Sequence, residues 1–93
     1  MRIEWDPSAI RDLEEIRAFI AADKPSASVR VAERIKTTIG RLSEFPLMGR
    51  QTQQPGIRVL SIPGTPYLVY YQVLPERVVI VSVFHGARRR FPD

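Results

Sequence analysis

Between Tyr67 and Arg90 the chain reads YLVYYQVLPERVVIVSVFHGARRR, two apolar runs either side of one short polar break. Tyr67 to Val73 is made of aromatic and β-branched residues, whose side chains fit a pleated, half-buried surface. Leu74-Pro75-Glu76-Arg77 interrupts it, and a proline between two hydrophobic runs marks a chain reversal. Val78 to Phe84 is apolar at nearly every position. A strand with no polar face must be covered on both sides, so this run is expected to be the central strand of a sheet. It continues the Val79-Val81-Val83 face to His85 and then delivers Gly86 and Arg88-Arg89-Arg90. The most buried element thus runs directly into the most charged one, and core and working surface are expected to meet there.

Upstream, Arg2-Ile3-Glu4-Trp5 alternates polar and apolar, as a short half-buried strand does. Asp6-Pro7 then reads as a helix start, with the aspartate capping free amides and proline at the first helical position. The first helix is expected from Pro7 to Ala22. Ile10, Leu13, Ile16 and Ile20 form its apolar stripe, and Arg11, Asp12, Glu14, Glu15 and Arg17 its solvated face. Asp23-Lys24-Pro25-Ser26 is a turn into a second helix running to about Glu44, with a stripe of Val29 or Ala32, Ile35, Ile39 and Leu42. Two amphipathic helices on a short connection read as an antiparallel hairpin. Residues 46–56 form a loop with two prolines and two glycines, followed by a strand from Ile57 to Ile62 and a Pro63-Gly64-Thr65-Pro66 turn. The order β-α-α-β-β-β implies an α+β fold, a helical hairpin packed on a small, mainly antiparallel sheet, in a single domain over residues 1–93. The first strand is expected at a sheet edge.

Several function classes drop out. The chain has no cysteine and one histidine, so a zinc site is not expected, and no cofactor-binding motif is present. No apolar run approaches the ~20 residues of a membrane span, and Glu4 and Asp6 break any secretory leader, so a cytoplasmic protein is expected. The charge is split. Residues 1–45 carry eight cations and eight anions, whereas residues 46–93 carry six arginines and two acids, which is the whole +4 of the chain. Arginine suits bidentate contact with phosphate or carboxylate, so an acidic partner is expected on that half.

The candidate residues follow from this split. His85 is the one side chain that titrates near neutrality without a shifted pKa. Its ring either caps the core edge and bonds nearby backbone, or acts as a general acid or base or an anchor for a partner. Arg58 shares a face with Leu60 and Ile62, where a charge needs either a helix acid or an anion brought by a ligand. Tyr67, Tyr70 and Tyr71 are expected mainly in the core.

An ordered set of pieces spanning the chain resembles the RelE/ParE superfamily of bacterial type II toxins. The pieces are Ile3-Glu4-Trp5, Ala9 with Leu13 and Ile16, Leu42 with Pro46 and Gly49-Arg50, Gly56-Ile57-Arg58, Tyr67 to Tyr71, and Val83-Phe84-His85-Gly86-Ala87-Arg88. The resemblance implies a toxin paired with a cognate antitoxin whose C-terminal segment wraps around it in a hetero-oligomer. That segment is expected on the helical hairpin, at Leu13, Ile16, Ile20, Ile35 and Ile39. RelE-like members cut ribosome-bound messenger RNA and share basic residues that are only partly present here. Leu68 follows the tyrosine opening the third strand, Leu60 and Gly86 stand at two other such positions, and Arg58 retains one. The ending and the aromatic strand look more like the ParE branch, which implies inhibition of DNA gyrase by binding. Arg50, Arg58, His85, Arg88, Arg89 and Arg90 are the expected target-binding residues. The alternative is a ribosome-dependent endoribonuclease using His85, Arg58 and Arg88. A third reading is a member that only binds its antitoxin.

Overall fold

Asp6 starts the first helix as a short acid before proline should. In the computed structural model, which describes residues 1–87, its carboxylate accepts from the Ser8 amide at 3.0 Å and the Ser8 hydroxyl at 2.5 Å. Those two bonds favour the ionised form and hold the carboxyl below the ordinary aspartate value. Strand β1 (Arg2–Trp5) leads into α1 (Pro7–Ala21), and α2 (Pro25–Gly40) ends in a 3₁₀ turn, Arg41–Ser43. Then come β2 (Arg50–Gln51), β3 (Ile57–Ser61), β4 (Tyr67–Leu74) and β5 (Arg77–His85). The helical hairpin is α+β packing as expected, though the second α-helix stops at Gly40 and tightens rather than running on to Glu44. No helix among the described residues is long and apolar enough to cross a membrane.

The five strands lie in the order β1-β5-β4-β3-β2, with β1 parallel to β5 and the other pairs antiparallel. The middle strand is therefore β4, not β5. The shift comes from β2, two residues inside the stretch that reads as loop, which extends the far edge. Burial on both faces is common to β4 and β5: Val69, Tyr71, Val78 and Ile80 on the helix side and Tyr70 and Phe84 on the other are all buried. Ala9, Ala32, Ile35, Ile39 and Leu42 from the helical side close over Val69, Tyr71, Val78 and Ile80. On the other face Tyr70 and Phe84 stack at 4.5 Å beside Val59.

A bulge breaks the simple alternation of β5. Tyr70 stands opposite Ser82 and Tyr71 opposite Ile80, so Val81 has no partner. One extra residue moves everything after it to the other face. His85 consequently shares the helix-side face with Val83 and Tyr67, while Val81 belongs to the opposite cluster. The expected Val79-Val81-Val83-His85 face does not exist.

Helix α1 takes over the edge of β5 where β1 runs out. The last β1 pair is Trp5 with Ile80, and the Asp6 amide donates to Ile80 O at 2.9 Å. Two residues on, the Ser8 hydroxyl donates to Val81 O at 2.9 Å. Asp12 Oδ2 then accepts from Ser82 Oγ and from the Val83 amide, both at 3.0 Å. Asp12 is buried, not on the solvated face that its place in the helix suggests. Its carboxylate replaces a missing strand neighbour at the bulge, which is why an acid is tolerated there.

Candidate functional site

The loop joining the 3₁₀ turn to β2 is tied down from below. The buried Tyr71 hydroxyl accepts from the Gly49 amide and donates to Pro46 O, each at 2.8 Å. Arg58 Nη1 donates to Gly49 O at 2.7 Å and to Leu47 O at 3.5 Å. Gly49 has no room for a side chain, since a Cβ would lie 2.6 Å from Val59 O and 2.7 Å from the Tyr71 hydroxyl. Burial pushes the Tyr71 pKa up, against smaller opposing effects of the Gly49 hydrogen bond and the Arg58 charge. Tyr71→Phe removes both hydroxyl bonds and strands a buried amide, so it should cost about 1–3 kcal/mol in denaturant unfolding at neutral pH. The sign with pH is set by the raised folded value. The parent should lose stability as pH rises from the ordinary tyrosine value through the raised one, and the Phe variant should lack that component. Equal pH slopes in the two proteins would remove Tyr71 as its source.

The candidate polar residues fall at two separate places. Arg58 stands opposite Tyr71, and His85 opposite Tyr67, so they lie four residues apart along β4 and on strands either side of it. At ~3.3 Å per residue and ~4.8 Å per strand, their backbones are roughly 16 Å apart. Arg50, exposed on β2 opposite Val59, belongs to the Arg58 end. His85 is exposed, its Nδ1 accepts from the Ala87 amide at 3.1 Å, and its ring meets the Tyr67 ring edge-on at 5.6 Å. With Nδ1 accepting, the neutral ring carries its proton on Nε2. Next to it, a Cβ on Gly86 would come within 3.0 Å of Leu68 Cδ1 and 3.3 Å of Pro66 O, so a long side chain there meets packing resistance. Arg88, Arg89 and Arg90 lie outside the described residues.

An apolar groove of about 510 Å³ runs between β1 and the helical hairpin. Ile3, Trp5, Leu13 and Ile39 line it, with Ile10, 45% exposed, at one side and Gly40 at the end of α2. Glu14, Arg17 and Lys36 complete its lining. The residues of the helix stripe, expected to meet the antitoxin, differ in how much surface they offer here. Ile35 is fully buried, Leu13 and Ile39 are buried and present only a little surface to the groove, and Ile16 and Ile20 pack against the core. A helix stripe facing a sheet is used up by that sheet. Most of the groove's accessible apolar lining is supplied instead by Ile3, Trp5 and Ile10. The alternation of Ile3 and Trp5 on an edge strand was the signal available for it.

Comparison with known proteins places these features. The family model described as the ParE toxin of type II toxin-antitoxin system, parDE, matches residues 3–90. Protein Y4kP of Sinorhizobium fredii is 37% identical over 92 residues, covering 99% of this chain and 94% of its own length. Toxin RelE2 of Caulobacter vibrioides is 34% identical over 87 residues, covering 94% of this chain and 97% of its own. Among solved structures, a chain of the chromosomal ParDE system from P. aeruginosa superposes with a TM-score of 0.83 at 20% identity, over 91% of this chain and 95% of that one. At that identity the structural likeness speaks for the fold.

Proposed function

The chain belongs to the ParE toxin family of type II toxin-antitoxin systems, and on that premise we propose that the free toxin inhibits DNA gyrase by binding, without chemistry of its own. A cognate antitoxin partner goes with the family. The observation carrying the proposal is the roughly 16 Å between the backbones of His85 and Arg58, reckoned from strand spacings and register. Cleavage of RNA through its 2′-hydroxyl requires a base, an acid and a cation for the phosphorane charge around one phosphate. With backbones that far apart and Arg58 Nη1 held on Gly49 O, the two groups are not pre-arranged around one phosphate, which supports binding over cleavage. Leu68, and Gly86 in its tight place, add to this, because neither supplies a cation near His85. The antitoxin is proposed to seat apolar side chains in the groove beside β1, where a helix or extended segment could bury Ile3, Trp5 and Ile10.

The names RelE2 and RelE3 among the relatives favour the alternative, a ribosome-dependent endoribonuclease. Purified toxin freed of antitoxin separates the two. It should block gyrase supercoiling and leave no codon-phased ends when primer extension is run on translating ribosomes. Codon-phased cuts that disappear in His85→Gln would overturn the gyrase reading.

A further inference from the structure

Arg58 is anchored through one nitrogen only. Its Nη1 holds Gly49 O and Leu47 O, while Nε and Nη2 make no hydrogen bond among the described residues. No carboxylate among those residues pairs with it, and Glu4 instead takes Arg2 and Arg77. A partly buried guanidinium without a counter-ion, fixed in place, presents a ready fork for a carboxylate. The latch that fixes it also fixes Leu47, 63% exposed, and Phe45, 54% exposed, lies two residues away. Between and beside them, Pro46 is bonded to Tyr71 and Met48 packs against the main core. Two large apolar side chains are therefore displayed on a short segment whose other groups are held.

We propose that Phe45, Leu47 and Arg58 form a docking site for a protein segment that presents a carboxylate beside an apolar pocket, and that this segment belongs to the target enzyme. The proposal rests on the reading that the toxin acts by binding. Exposed apolar area argues for protein over nucleic acid here: Phe45 and Leu47 set two large apolar side chains beside Arg58, whereas a phosphate backbone favours a line of cations alone. Position argues for the target over the antitoxin. Arg58 is on β3, three strands from the β1 groove, so one partner can fill the groove without covering the arginine.

Leu47→Asp tests it, because the side chain is exposed and the change replaces an apolar contact of the site with a charge that repels an incoming carboxylate. Phe45→Ala is the second variant. Each is purified and measured for melting temperature, antitoxin affinity, inhibition of gyrase supercoiling, and growth arrest when expressed without antitoxin. Leu47→Asp should raise the half-inhibitory concentration ~10-fold or more and Phe45→Ala by several-fold, as truncation of a central anchor does. Antitoxin affinity and melting temperature should stay near the parent's. Unchanged gyrase inhibition by both variants overturns the site. So does a loss of antitoxin affinity with inhibition retained, which would give the surface to the antitoxin. If the parent spares gyrase, the functional reading fails separately. The docking site then survives if Leu47→Asp abolishes growth arrest with no message cut by the parent. It falls if the activity lost is message cutting, since the occupant is then RNA.

Discussion

Asp12→Ala should be the most damaging single substitution among the charged residues of α1, although the helix sequence alone groups Asp12 with solvated acids. Its Oδ2 satisfies both the Val83 amide and the Ser82 hydroxyl at the β5 bulge, 3.0 Å from each. Hydrogen bonds to a charged group are worth about 1.5–3 kcal/mol each, and alanine would leave a buried amide with no acceptor. The expected loss is roughly 3–5 kcal/mol, a large share of the ~5–15 kcal/mol that holds a small domain together. Melting should therefore drop by more than ~10 °C. Asp12→Asn keeps an oxygen acceptor and should lose less. Glu15, exposed three residues on, is the control, and Glu15→Ala should change stability by under ~0.5 kcal/mol. If Asp12→Ala melts with Glu15→Ala, the carboxylate is not what holds the bulge.

Gly40→Phe should leave the fold intact and abolish capture by the antitoxin. Gly40 has a helical φ of −58°, and a Cβ built there meets nothing within 4 Å. Replacing glycine in such a position normally helps the helix, so Gly40→Ala should stabilise by about 0.5–1 kcal/mol. A phenyl ring at the same place projects toward the groove lined by Ile3, Trp5 and Ile39. If that groove seats the antitoxin, the ring competes with its apolar side chains, and affinity should fall ~100-fold or more, as when a hot-spot pocket is blocked. Titration calorimetry against the purified antitoxin, alongside thermal melts, checks both halves. Full affinity in a well-folded Gly40→Phe would move the antitoxin off the groove. The pair Gly40→Ala and Gly40→Phe separates loss of glycine from gain of bulk.

Local order was readable because it is carried by short-range chemistry. Asp6-Pro7 announces a helix start within two residues, and the structure places the cap there. Tyr67 to Phe84 shows two apolar runs about a proline turn, and the hairpin of β4 and β5 follows. The stripes of α1 and α2 also predicted that the hairpin would pack on the sheet, as Leu13, Ile35 and Ile39 do. What that periodicity could not say is whether a stripe is spent inside the chain or offered to a partner. It is largely spent inside, and the groove beside the hairpin takes much of its apolar lining from β1 and Ile10.

By itself, then, the sequence determined the order of elements, the α+β class and the residue types available for contact, since propensity, caps and periodicity act over a few residues. Only the tertiary structure decided where those residues stand relative to one another. Strand β2 has two residues and no period to read; it exists because β3 offers an edge. The β5 bulge is a matter of register between Tyr70-Tyr71 and Ser82, and one added residue sends His85 to the other face. Asp12 is buried because its acceptor is needed 71 residues away. Arg58 and His85, both basic groups beside strands, end on different ends of the sheet through the pairing of β3 and β5 with β4. Long-range register depends on the sum of packing over the whole core, and no local stretch of the chain contains it.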